Sequence, residues 1–154
     1  MKKMNKLSVI AVLCVLVCIP LCAAPKLTAR EYYDKGLSAE NNEEFHTATQ
    51  NYMEAVRANP AYTDAWFHLS LVSFYLGEPD LALQYLESAE KTEKDTSRIN
   101  NLKGMIFLSL GRHSEAEEIF NSILKKYPND VNAHFGLAEL QLYDGRFSGA
   151  RKED

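Results

Sequence analysis

The feature that most constrains this chain is self-similarity at a step of 34 residues. Small residues fall at Gly36, Ser70, Gly104 and Ala138, and alanines at Ala48, Ala82, Ala116 and Ala150. Glycines recur at Gly77, Gly111 and Gly145, large residues at Tyr52, Leu86 and Phe120, and Pro60 and Pro128 lie two steps apart. A fixed period of this length, kept without an insertion, describes one small supersecondary unit copied and stacked. One such unit cannot bury its apolar face alone, so its neighbours must complete the core.

Within each step the local signals come in helical pairs. Thr28 can cap a helix running to about Asn41, and a second runs from about Glu44 to Ala58. The second stops before Asn59-Pro60, because a residue ahead of proline is pushed out of the α region. Tyr32, Gly36 and Ala39 share one helix face, as do Ala48, Tyr52 and Ala55 on the partner. A small residue on each stripe lets two helices approach, and the large residue beside it fills the groove. Short turns force the pair antiparallel. Gly111 and Gly145 sit where a first helix should end in left-handed geometry. Gly77-Glu78-Pro79-Asp80 reads as a glycine stop followed by proline early in the next helix.

These residues resemble the tetratricopeptide repeat family. Trp66, Leu69, Ser70, Ala82, Leu86 and Ala89 carry the likeness in one unit; Tyr32, Gly36, Ala39, Ala48, Tyr52, Ala55 and Pro60 carry it in the unit before. Gly104, Phe107, Ala116, Phe120 and Pro128 continue it, and Leu137, Ala138, Phe147 and Ala150 begin a fourth copy. The resemblance implies an all-α, right-handed α-solenoid of antiparallel helix-turn-helix hairpins. Its units span 29–62, 63–96, 97–130 and an incomplete 131–154: three complete hairpins and part of a fourth.

Four places depart from the pattern. Pro79 stands where an aromatic is usual. The polar run from Thr92 to Ser97, with Lys94 in place of a proline, points to a second junction that is longer-helixed or more mobile. Asn100 and His134 replace the aromatics Tyr32 and Trp66, so each needs a hydrogen-bond partner or contact with water; His134 reads as a half-buried, satisfied histidine. The short final unit leaves Leu137, Leu140 and Tyr143 exposed, since repeat arrays ordinarily end in a polar capping helix.

Residues 1–23 read as a signal peptide and 24–154 as the repeat domain. Lys2, Lys3 and Lys6 precede an uncharged apolar run from Leu7 to Leu21, and Ala23 and Ala24 follow. The run is shorter than the ~20 residues a spanning helix needs, so a retained membrane anchor is the alternative and not the main reading. Lipidation at Cys22 is a second alternative, opposed by Leu21 just before it. All three cysteines, Cys14, Cys18 and Cys22, lie in this leader, so the remaining chain has no thiol chemistry. Export to the periplasm or envelope follows from this reading. Losing the leader lowers the 17 basic residues to 14, against 21 acidic ones. With no basic stripe, nucleic acid is not an expected partner.

No Gly-rich phosphate loop, HExxH or GxSxG motif is present. Asp64 with His68, and His113 with Glu117, lie four apart, but two ligands do not make a zinc site. No enzyme, metal or cofactor is therefore expected. The resemblance implies instead a concave surface built from the first helix of each hairpin. The family's inward positions fall on Tyr33, Leu37, Asp64, Phe67, His68, Leu71, Tyr75, Arg98, Asn101, Leu102, Met105, Asn132, Phe135 and Glu139. One family use is a clamp for a partner's C-terminal carboxylate, and only Arg98 matches its basic positions. Tyr33, Leu37, His68 and Leu102 stand where the other clamp residues belong. An apolar peptide or helix fits this groove better. The expected function is a non-enzymatic adaptor that binds a protein partner. The alternatives are self-assembly through the open C-terminal hairpin, or a fragment of a longer repeat protein.

Overall fold

The computed structural model describes residues 27–92 and 97–150. The leader, its cysteines and residues 93–96 of the polar junction lie outside the described residues. Seven helices follow in order: α1 (Ala29–Asn41), α2 (Phe45–Ala58), α3 (Thr63–Tyr75), α4 (Pro79–Thr92), α5 (Ser97–Ser109), α6 (His113–Lys126) and α7 (Val131–Ala150). α1 pairs with α2, α3 with α4 and α5 with α6, while α7 packs on α6 and α5. The result is an all-α helical repeat solenoid. No helix among the described residues is long and apolar enough to cross a membrane.

The helix boundaries have local causes. Thr28 forms a capping box: its hydroxyl accepts from the Glu31 N–H at 3.2 Å, and its own N–H donates to the Glu31 carboxylate at 2.8 Å. α2 stops where Asn59 turns extended, at φ −142°, ahead of Pro60. Gly77 (φ +78°) and Gly111 (φ +70°) take the left-handed geometry that lets the chain reverse. Glu43, one period before Gly77, takes the same geometry at φ +61° without being glycine. Its side chain has the Cβ clash that makes this region costly, a cost that packing of the first hairpin must offset.

Gly145 behaves differently from the stop read in the sequence. It lies inside α7, which runs on to Ala150 as one helix of 20 residues. A glycine near a helix end permits a turn but does not force one, and Gly145 has no positive φ of the kind seen at Gly77 and Gly111. Residues 131–150 are therefore one helix, where the sequence pattern predicts a turn.

The core follows a size rule between helices. A Cβ on Gly36 would meet the Tyr52 ring at 2.4 Å, and one on Gly104 would meet Phe120 at 2.6 Å. The aromatic rings thus lie flat against bare backbone. In the middle hairpin the same two positions hold Ser70 and Leu86, both fully buried: the smaller large residue tolerates the larger small one. Gly136 of α7 also closes on Phe120, whose ring would lie 2.3 Å from a built Cβ. Each fully buried ring or branched chain contributes ~1.5–3 kcal/mol of transfer free energy. Trp66 touches the first and second core clusters, and Leu83 and Leu110 touch the second and third, so one apolar core runs the length of the array.

Burial also corrects the reading of the last unit. Leu140 is 5% exposed and belongs to the third core cluster, with Leu137 half-buried against it. Both pack with Ala116, Phe120 and Ile123 of α6, which covers them. Tyr143 does remain accessible, with its ring edge-on to His113 at 4.0 Å. His134 is exposed, not half-buried, and is satisfied by the Pro128 carbonyl at 2.9 Å. Trp66 makes the equivalent bond to the Pro60 carbonyl at 2.8 Å, so histidine keeps the aromatic's one polar function.

Candidate peptide-binding groove

The first helices of the units, α1, α3, α5 and α7, form one layer of the solenoid. The residues expected to line it separate into rows by position in the repeat. Tyr33, Phe67, Asn101 and Phe135 occupy one row. Tyr33 is 9% exposed, packed among Tyr52, Tyr62 and His68 with ring centroids 5.0–5.7 Å away. Asn101 is buried, and Phe67 is half-buried under the Arg98 guanidinium, 4.9 Å above its ring. Only Phe135 is open, at 58%. This row serves the stacking of one unit on the next. Tyr33 therefore belongs to the core and not to the groove surface, and so does Leu102, which is buried in the second core cluster.

The next row holds Leu37, Leu71, Met105 and Glu139, half-buried in the first three units and exposed in the last. Of this row, Met105 and Glu139 line a described cleft. Tyr75 is 73% exposed with its ring 4.7 Å from Phe45. Near the C-terminal end the layer opens into a cleft of about 450 Å³ between Phe74, Met105, Leu108, Ser109, His113, Glu139, Leu142 and Tyr143. Met105 is the one member of the expected groove core that it includes, with Glu139 at its rim. Phe74, Leu108 and Leu142 were not singled out from the sequence. They also stand one period apart, so the signal was present in a row that the family's inward positions do not emphasise.

Polar groups in this layer are largely tied down. His68 Nδ1 lies 2.9 Å from the Glu40 carboxylate, and the Tyr52 hydroxyl donates to the same oxygen at 2.5 Å. Burial alone would raise the Glu40 carboxyl. The hydrogen bonds from His68 and Tyr52, with the attraction of His68, outweigh it and hold the group below the usual glutamate range. Burial, then the bond to Glu40, pushes the Tyr52 phenol far up. Arg98 pairs with Asp64 of the preceding unit at 2.5 Å. The only residue at a basic clamp position is thus already engaged by an acid. At the next junction Asp130 accepts from Ser97, from Asn101 Nδ2 at 3.0 Å and from the Ala133 N–H at 3.0 Å. The Ser97 bond leads in holding its carboxyl down. Among the described residues no cluster of three His, Cys, Asp or Glu could hold a metal ion.

A repeating hairpin with a small-over-large core and a first-helix layer is what the comparisons recover. The tetratricopeptide repeat model matches residues 33–98, 71–131 and 101–154. The chain belongs to the tetratricopeptide repeat family. Among curated proteins, the photosystem I assembly protein Ycf3 of Synechococcus sp. (strain WH7803) is 32% identical over 103 residues, covering 64% of this chain and 58% of that protein. The chain thus spans just over half the length of this curated relative. The TPR domain of Arabidopsis OM64 superposes with a TM-score of 0.70 at 22% identity, covering 75% of this chain and 95% of that domain. The first TPR domain of Spaghetti (RPAP3), solved bound to the HSP90 peptide SRMEEVD, gives a TM-score of 0.71 at 17% identity, covering 76% and 93%. These structural likenesses establish the repeat fold of this TPR protein.

Proposed function

We propose that this TPR protein is a non-enzymatic adaptor that holds a peptide or helix of a partner protein in the first-helix groove. The observation that carries this reading is the cleft of about 450 Å³, walled by Phe74, Met105, Leu108 and Tyr143. Its size is that of a site for a few side chains, and its walls are apolar with a few polar groups at the rim. A TPR domain of the same fold binds a peptide of HSP90, which supports this mode of use. The fold is that of an interaction scaffold, and fold alone does not bring chemistry with it. An extracytoplasmic setting, in the periplasm or envelope, is part of the proposal and rests on the composition of residues 1–23. The test is Leu71→Ala with Met105→Ala, which should abolish capture of the partner while the helical circular dichroism survives. Undiminished capture would remove the groove from the account.

A second reading is favoured by α7. Ala138 and Gln141 are exposed, whereas their equivalents Gly36, Ser70 and Gly104, and Ala39, Ser73 and Phe107, are all buried by a second helix. Two copies could pair through this face. Light scattering at tens of micromolar separates the readings: a dimer dispersed by Ala138→Glu supports pairing, and a clean monomer ends it.

A further inference from the structure

The charge of the groove restricts what it can hold. In α1, α3 and α5 the cations are mostly engaged: Arg30 by Asp34 at 2.9 Å, Arg98 by Asp64 at 2.5 Å and Lys103 by Glu90 at 2.9 Å. Arg98 also covers the Phe67 ring. Lys35 stands near Glu31, whose carboxyl it helps to hold down. The acids Glu40 and Asp64 are engaged in turn, by His68 and Arg98. Glu139 is the exception. It is exposed on α7, lines the apolar cleft, and makes no hydrogen bond or ion pair among the described residues. Among the described residues the charge presented beside the cleft is therefore negative, in a chain whose net charge is already −4.

We propose, building on the groove reading, that the occupant of this cleft is a cationic amphipathic segment of a partner protein. Bulky apolar side chains would enter between Phe74, Met105 and Leu108, and a Lys or Arg within a helical turn of them would meet Glu139. Complementary charge sets which partner enters and how fast, and like charge excludes the rest. A segment ending in acidic residues and a free carboxylate meets the opposite situation here. It would have to take Arg98 from Asp64 and then sit near Glu139.

The test uses fluorescein-labelled, amidated 15-residue peptides with Leu at helical spacing (i, i+3, i+4, i+7) and Lys, Gln or Glu elsewhere, called Leu/Lys, Leu/Gln and Leu/Glu, with SRMEEVD as a fourth probe. Anisotropy titrations are run on the full chain. The Leu/Lys peptide should bind at least tenfold more tightly than Leu/Gln, and the other two more weakly still. Glu139→Lys should erase that tenfold gap and Glu139→Gln should narrow it. Glu87→Lys makes the same change in net charge on the exposed face of α4, outside the cleft, and should leave the gap intact. Met105→Ala should weaken all the amphipathic peptides alike. An equal loss with Glu87→Lys, or tighter binding of Leu/Glu or SRMEEVD, overturns the cationic assignment and leaves the groove standing. Failure of all four peptides to bind, with Met105→Ala changing nothing, overturns both.

Discussion

The first and last unit boundaries of the array use the same positions to opposite ends. At the α1–α3 boundary Tyr33 is enclosed by rings, Gly36 lies under Tyr52, and Ala39 is buried. Three periods along, at α7, Phe135, Ala138 and Gln141 are exposed. Tyr33 and Phe135, and Gly36 and Ala138, barely differ in apolar character, so at those two positions burial belongs to the neighbour and not to the residue; at the third, polar Gln141 stands in place of Ala39. That is how a one-dimensional repeat array should behave, with stability built from interfaces between adjacent units. The acid tie at each boundary follows the same logic. Glu40 is held by two side chains from the adjoining helices, whereas Asp130 spends one of its bonds on the Ala133 backbone at the start of α7.

The sharpest way to break this comparison is to remove one ring from each end. Phe120→Ala should cost ~3–5 kcal/mol, because two glycine backbones press on the ring and cannot refill the void. Phe135→Ala should fall within about 0.5 kcal/mol. Urea unfolding followed by circular dichroism measures both, and comparable losses would mean that α7 is covered by something. Next in size is Gly136→Val, which drives a branched side chain into Phe120 and should cost ~1–3 kcal/mol or more.

The polar tie of the first boundary gives a pH signature. Glu40 titrates lower in the fold than its ordinary value of 4.5. Its contribution is therefore present above that value and is lost as pH falls through the lowered folded value. The Tm advantage of the native chain over Glu40→Gln should be positive at pH 7 and shrink below about pH 4.5. An advantage that grows on acidification would reverse the sign of the argument. The smallest effect is a gain. Glu43→Gly should add about 0.5–1 kcal/mol by relieving a left-handed Cβ clash, less the entropy that glycine costs.

Much of this architecture was legible in the sequence because the period repeats its own evidence. Helix starts and stops at Thr28, Pro60, Gly77 and Gly111 each have a local chemical cause, and local causes can be read without coordinates. Gly145 misled because a glycine allows a helix to stop but does not compel it to. The groove was harder to read for a related reason. Tyr33 and Leu102 carry the same polarity pattern as residues expected to line the groove, but an adjoining unit covers each: the following one for Tyr33 and the preceding one for Leu102. The Tyr52–Glu40–His68 tie joins residues on three helices, and no spacing along the chain announces it. Phe74, Leu108 and Leu142 show period-34 spacing, yet only packing reveals that they converge with His113 and Glu139.

The central claim is that the first-helix layer, and not the outer helices, meets a partner. A photo-crosslinking residue placed at Leu71 or Met105 in the groove, and at Glu87 or Glu118 on α4 and α6, tests it in living cells. The account predicts discrete adducts from Leu71 and Met105 and none from Glu87 or Glu118. Adducts of equal yield from both sets, or from the outer helices alone, would contradict it.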